Sequence, residues 1–188
     1  DEKNVRSVEL VLSILENLAS NGEMGVTEIA KSVHINKSTV YRFINALMKA
    51  GYVNQNQNND KYTLTFRILE IASQIMNKYD VRDIADPVMQ EISEKTKETV
   101  HLGVLENYDV IHIAKIDSSQ YLRIHTWVGQ HFPAYACGLG KVLLAFGPSE
   151  TVSSLLDNGP LQKYTDTTIT DPLELMQKLK KKKKNGYA

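Results

Sequence analysis

Cysteine occurs once in the 188 residues, as Cys137, so an internal disulfide framework is excluded and a reducing compartment suits the chain. No apolar run approaches the roughly 20 residues that a membrane-spanning helix needs. The opening stretch, DEKNVRSVEL, lacks an initiator Met and lacks the charged-then-apolar order of a signal peptide. A soluble, cytoplasmic protein with no membrane partner is the expectation. An excess of charge is missing as well, with 22 Lys and Arg against 22 Asp and Glu. That balance argues against nucleic acid only if charge is spread evenly, and it is not. Lys178 and Lys180 to Lys184 put six positive charges near the end, leaving 16 basic against 22 acidic residues in the body. Within Asn36 to Gly51 stand Lys37, Arg42 and Lys49 and no acid, a local basic footprint that the total conceals.

Catalytic and metal signatures are also wanting. Cys137, His101, His112, His125 and His131 show neither zinc-finger nor HExxH spacing, and no nucleophile motif surrounds the thiol. No metal and no cofactor is expected. The segment GLGK lacks the full phosphate-loop spacing and the hydroxyl after the lysine. Gly138 and Gly140 ahead of a helix fit either a plain turn or a loop whose N–H groups attract a carboxylate, and the residues alone leave both open. The lysines at 178 to 184 fall in the last turns of a helix, where cations complement the dipole, so a nucleic-acid role for them is the weaker reading.

What is present is periodicity. In VTEIAKSVHINKSTVYRFINALMKAGY, Val26 to Tyr52, the residues Val40, Phe43, Ile44 and Leu47 recur at i, i+3, i+4 and i+7, the spacing of one buried helical face. Ser38, Tyr41, Arg42 and Asn45 repeat it two residues out of phase, about 200° around the helix. A solvated surface would carry such a face too, and Tyr41 could simply pack. Ahead of a turn and a hairpin, the same groups suit the major groove of DNA. Lys37, Ser38 and Thr39 at the helix start are placed for phosphates, and Arg42 for a guanine or a phosphate.

Around this stretch, Ser7 to Asn21 predicts a helix with Val8, Val11, Leu12, Leu15 and Leu18 inward and Ser7 as its cap. Thr27 is expected to cap a second helix and Asn36 a third, which Gly51 ends. Tyr52 to Asn54 and Lys61 to Leu64, flanking QNQNND, predict a hairpin whose Gln55, Asn56 and Lys61 reach a DNA backbone. Phe66 to Tyr79 predicts an apolar helix in need of a partner. The expected division is residues 1–65 as a winged helix-turn-helix domain, 66–83 as a linker and dimerisation helix, and 84–188 as an effector domain. In the last, a helix from Pro87 to Lys97 precedes strands at Thr99 to Leu105, Val110 to Lys115 and Leu122 to Trp127. A loop at Pro133 to Leu139 and helices at Gly140 to Phe146, Ser149 to Leu156 and Pro172 to Lys183 complete an α+β fold.

These pieces together resemble the bacterial isocitrate-lyase-regulator (IclR) type transcription factors over the whole length. The carrying segments are VELVLSILENLA, GVTEIAKSVHINKSTVYRFINALMKAGYV, KYTLTFRILEIA, TVHLGVLENYDVIHIAKIDS, PAYACGLGKVLLAF and the terminal NGYA. KSTVYRF, TKETVHLG and KIDSSQYLR look most like the ketodeoxygluconate-regulon branch. The resemblance implies a winged helix-turn-helix joined by a linker helix to a GAF/PAS-like effector domain, acting as a homodimer or tetramer on operator DNA. It implies a repressor of a carbon-catabolism operon that senses a small organic acid such as a 2-keto acid or sugar acid. Tyr121, Gly138 and Leu139 would contribute to the effector pocket; His125 and Arg123, on an expected strand near it, are either further contacts or solvent-facing strand residues. Family members continue well past NGYA, so the effector domain is expected to be incomplete at its C-terminus. The rival expectation is an enzyme acting on such an acid with an accessory helix-turn-helix.

Overall fold

A computed structural model describes residues 2–76, 81–120 and 125–188. The chain divides into two compact units, Asp1–Lys78 and Tyr79–Ala188.

The first unit begins with α1 (Glu2–Asn21), closed by Gly22 at φ +73°, a left-handed value that costs glycine little. Ser7, expected as the cap, lies inside this helix, which starts five residues earlier. Its core contacts are Ile14 and Leu18, whereas Val8 and Leu12, expected inward, are 59% and 51% exposed. The apolar stripe of α1 is thus wider than the small domain can cover. In α2 (Val26–Ser32) the cap is Gly25 and not Thr27; the Glu28 carboxylate accepts the Gly25 N–H at 2.7 Å. After a turn through His34 (φ 54°) comes α3 (Lys37–Lys49), capped by Asn36, whose Oδ1 accepts the Thr39 N–H at 2.8 Å. Val40, Phe43, Ile44 and Leu47 are buried together against Ile14, Leu18, Ile29, Val53 and Tyr62, as their spacing requires.

The hairpin pairs β1 (Val53–Gln55) with β2 (Tyr62–Leu64) antiparallel, Val53 opposite Leu64. Its exposed loop is tied back to Glu23. The Glu23 carboxylate accepts from the Asn56 and Asn59 amides, both at 2.9 Å, and those bonds hold its pKa below the usual carboxylate value. Next, α4 (Arg67–Met76) has no buried residue. Phe66 is 86% exposed and Leu69 61%, with Ile71 and Ile75 also exposed. The expected end of this helix at Tyr79 lies outside the described residues.

The second unit opens with α5 (Val81–Thr96), which contains Pro87 in its interior. The helix was expected to start at that proline; it begins six residues earlier and gives up the rung that a Pro87 N–H would have made to Asp83. A two-residue turn, Asn107 and Tyr108 at φ 47° and 74°, joins β3 (Val100–Glu106) to β4 (Asp109–Ile116). Two positive φ values are what a tight hairpin following the strand twist demands. The sheet order is β3-β4-β5 with a bulge at Leu102/Gly103. Here β5 (His131–Pro133) pairs with Asp109 to Ile111; only its last residue falls in the loop expected at Pro133 to Leu139, whose final two residues, Gly138 and Leu139, are helical because Cys137 caps the next helix. Of the strand expected at Leu122 to Trp127, residues 122–124 lie outside the described residues and 125–127 are not extended into a ladder.

α6 (Gly138–Phe146), α7 (Ser149–Asp157) and α8 (Pro172–Asn185) pack Leu144, Ala145, Val152, Leu155, Leu175 and Leu179 with Val110 of β4 into one core. Gly140 sits where α6 presses on the preceding loop: a Cβ there would lie 2.3 Å from the Ala134 carbonyl oxygen and 2.4 Å from its Cα. Alanine is the better helix former by about 1 kcal/mol, yet backbone cannot yield by that distance. Gly140→Ala is expected to destabilise the second unit by at least ~1–3 kcal/mol, read as a lower midpoint in chemical unfolding, where propensity alone would raise it.

Candidate DNA interface and effector site

The reading face is created by burial on its reverse. With Val40, Phe43, Ile44 and Leu47 inward, α3 turns Lys37, Ser38, Tyr41 and Arg42 to solvent, with Asn45 and Thr39 half-buried. Tyr41 is 54% exposed, so it does not serve the core. Arg42 lays its guanidinium over the Phe43 ring, 5.3 Å from the centroid, which keeps the charge on this face while its carbon stem covers apolar surface. Ser38 Oγ donates to Asn36 Oδ1 at 2.8 Å and is committed to the cap until a stronger acceptor arrives. Among the described ion pairs none engages Lys37, Arg42 or Lys49. Lys61, on the hairpin, does have a partner: its ammonium lies 3.5 Å from the Glu28 carboxylate. That exposed pair, with the Gly25 N–H as the larger cause, lowers the Glu28 pKa. A phosphate arriving at Lys61 exchanges one weak surface pair for another.

At the other candidate site, Cys137 caps α6, its Sγ accepting the Gly140 N–H at 3.3 Å. Burial pushes its thiol pKa up, the opposite of what a nucleophile needs. Gly138 is exposed and Leu139 half-buried, and Leu139 reaches down onto Gly103 of β3, where a Cβ would meet Leu139 Cδ2 at 2.6 Å. Tyr121 and Arg123 lie outside the described residues. His125 is exposed and tilts against Trp127, ring centroids 6.0 Å apart. A groove of about 780 Å³ runs past Tyr108, Leu143 and Phe146 at the far end of α6 and does not include Gly138 or Leu139. Among the described residues no group of three His, Cys, Asp or Glu side chains could hold a metal ion, and no helix is long and apolar enough to cross a membrane.

Sequence reasoning missed one polar cluster on the sheet. His101 and His112 stack with ring centroids 4.3 Å apart, and His112 also meets Phe132 at 5.2 Å. His101 Nε2 and Thr126 Oγ1 are 2.6 Å apart, while Lys115 donates to the Thr126 carbonyl at 2.7 Å and pairs with Asp117 at 2.7 Å. The available signal was the alternation in β4, which puts His112 in phase with buried Val110.

The IclR helix-turn-helix domain matches residues 7–57, and the bacterial transcriptional regulator IclR C-terminal domain matches residues 73–188. The chain belongs to the IclR family of bacterial transcriptional regulators. It is similar to the HTH-type transcriptional regulator KdgR of Escherichia coli, 37% identical over 184 residues, which are 98% of this chain and 70% of that protein. The Thermotoga maritima IclR structure is 28% identical with a TM-score of 0.74, covering 100% of this chain and 74% of that one. An IclR homologue from Microbacterium hydrocarbonoxydans, solved with 4-hydroxybenzoate, shares the fold at a TM-score of 0.79, 24% identity, and coverage of 97% and 75%. The IclR families and relatives so matched are transcriptional regulators and not enzymes, which removes the accessory-domain alternative.

The histidine pair has a measurable consequence. Burial lowers both imidazole pKa values by penalising the charged ring; Lys115 adds to this for His101, against a smaller opposing effect of Asp117. For His112 the secondary causes are His101 and then Lys115. The unfolded chain therefore takes up these protons at higher pH than the native one. Stability from this source is intact above about pH 6.5 and is lost as pH falls through the lowered native values. The thermal midpoint of the second unit is expected to drop between about pH 7.5 and about pH 5.5, and to drop less in His112→Phe.

Proposed function

We propose that this IclR-family protein is a repressor of a carbon-catabolism operon that binds palindromic operator DNA as a homodimer or tetramer in the cytoplasm and is released or realigned by a small organic acid. The single observation that carries the DNA half is α3, whose buried stripe leaves Ser38, Tyr41, Arg42 and Asn45 on the opposite side, with Lys37 and Thr39 in its first turn. In this reading Lys37, Ser38 and Thr39 meet phosphates at the helix N-terminus, Tyr41, Arg42 and Asn45 face base edges, and Lys61 on the hairpin holds a backbone phosphate.

Three basic groups on α3 neutralise too few phosphates for tight binding by one copy. The expected remedy is pairing. Over residues 66–83, the linker between a DNA-binding part (1–65) and an effector part (84–188), α4 offers Phe66, Leu69, Ile71 and Ile75 uncovered, an apolar face that a second copy would bury.

For the effector, Gly138 and Leu139 in the first turn of α6, together with Tyr121, hold the acid in this reading; the helix dipole favours a carboxylate there. A homologue solved with 4-hydroxybenzoate is in keeping with an organic acid as ligand class, and the preference for a 2-keto or sugar acid follows the resemblance to the ketodeoxygluconate-regulon branch. A coupling of about 1–3 kcal/mol between acid and operator is enough to change occupancy 5- to 150-fold.

Arg42→Ala is expected to cost about 1–3 kcal/mol in operator affinity, measured by fluorescence anisotropy at moderate salt. Affinity unchanged from the parent would remove this helix from the DNA interface.

A further inference from the structure

His112 is an oddity among the buried groups. It is 8% exposed, and its Nδ1 has no hydrogen-bond partner. A buried polar atom in that condition costs free energy unless something brought in from outside satisfies it. The nearby groups do not. His101 offers only its ring face, and its own Nε2 is engaged with Thr126 Oγ1. Lys115 is divided between the Thr126 carbonyl and Asp117, and the Asp117 carboxylate is drawn to that ammonium.

The place of the ring is informative. In the sheet His112 is the ladder partner of Gly103, and Phe132, which its ring touches, is the partner of Val110. Gly103, Val110 and Leu139 meet at one point, because a Cβ on Gly103 would lie 2.6 Å from Leu139 and 2.7 Å from Val110. The unpartnered imidazole therefore adjoins the spot where Leu139, in the first turn of α6, rests on the sheet. It shares the face that α6 covers.

We propose that the His101–His112 pair is the second polar contact of the effector site, selecting an acid that carries a hydroxyl or keto oxygen in addition to its carboxylate. This rests on the reading that the first turn of α6, at Gly138 and Leu139, takes the carboxylate, and it adds what lies at the ligand's other end. A neutral imidazole nitrogen accepts from a hydroxyl or donates to a keto oxygen according to tautomer. The His101 ring beneath it fixes the plane of His112, and the Thr126 hydroxyl fixes His101. An acid with nothing beyond its carboxylate leaves Nδ1 as it is and gains nothing from the pair. That difference is how a buried polar atom discriminates between ligands.

The test uses the full-length protein with two probes, ketodeoxygluconate, which has carboxylate, keto and hydroxyl groups, and butyrate, which has the carboxylate alone. The parent is expected to bind ketodeoxygluconate at least about tenfold more tightly than butyrate. His112→Phe keeps the ring stacking, and its thermal midpoint without ligand should be unchanged or higher, since the unsatisfied atom is gone. In that variant ketodeoxygluconate should weaken to the level of butyrate, with butyrate unaffected. In the parent, ketodeoxygluconate should also shift the His112 imidazole nitrogen signals in NMR, a readout that needs no variant. Equal affinity of parent and variant for ketodeoxygluconate, equal affinity of the parent for both acids, or unmoved His112 signals on saturation overturns the proposal. Binding of neither acid by the parent instead counts against the carboxylate site itself, and the histidine contact falls with it.

Discussion

The structure depends first on one packing contact, the seating of Val40, Phe43, Ile44 and Leu47 of α3 against Ile14, Leu18, Ile29 and Val53. Everything the reading face can do is a consequence of that stripe being shut away. A helix of 13 residues is marginal by itself in water, so its orientation is set by tertiary burial, with the Asn36 cap fixing where it starts. Because 3.6 residues make a turn, fixing the apolar side fixes the polar side as well. The hairpin is held to the same body: Met24 bridges to Tyr62, and Glu23 grips the loop through Asn56 and Asn59. An IclR-type helix-turn-helix and its wing therefore present one preformed surface, with little ordering cost left for the encounter with DNA.

The second unit answers to a different constraint, backbone packed on backbone. Gly140 lets α6 close on Ala134, and Gly103 lets Leu139 close on the sheet. Each glycine removes a side chain at a place where a loop must come within contact distance of a strand or helix. The first turn of α6 is thereby pinned to the sheet through Leu139, while Gly138 stays open to solvent. His112, the ladder partner of Gly103 beneath it, keeps a buried Nδ1 without a partner.

Much of this was legible in the residues. The α3 stripe, the Asn36 cap, the Gly51 stop, the Asn107–Tyr108 turn and the α+β order of the second unit all follow from period and turn chemistry. The departures have physical reasons. The face of α1 was misassigned because Val5, Val8 and Leu12 are as apolar as Ile14 and Leu18, and periodicity cannot tell a core side from an uncovered one. Thr27 lost the cap to Gly25 because Glu28 reaches back to the Gly25 N–H. Pro87 looked like a helix start, yet burial of Met89 and the preceding turn carry α5 through it. The strand at His131 to Pro133 was missed because it is short and ends in proline. His112 was passed over since a lone histidine in a strand carries no signal until its neighbours are known.

In the proposed assembly two copies of α3, held at a fixed separation, read the operator together. Hydroxyl-radical footprinting of the operator with the intact protein tests it most directly. Two protected half-sites on one face of the duplex, their centres about one helical turn (~34 Å) or a multiple of it apart, are expected, appearing together as protein is added. Protection of a single half-site at saturation would contradict the claim.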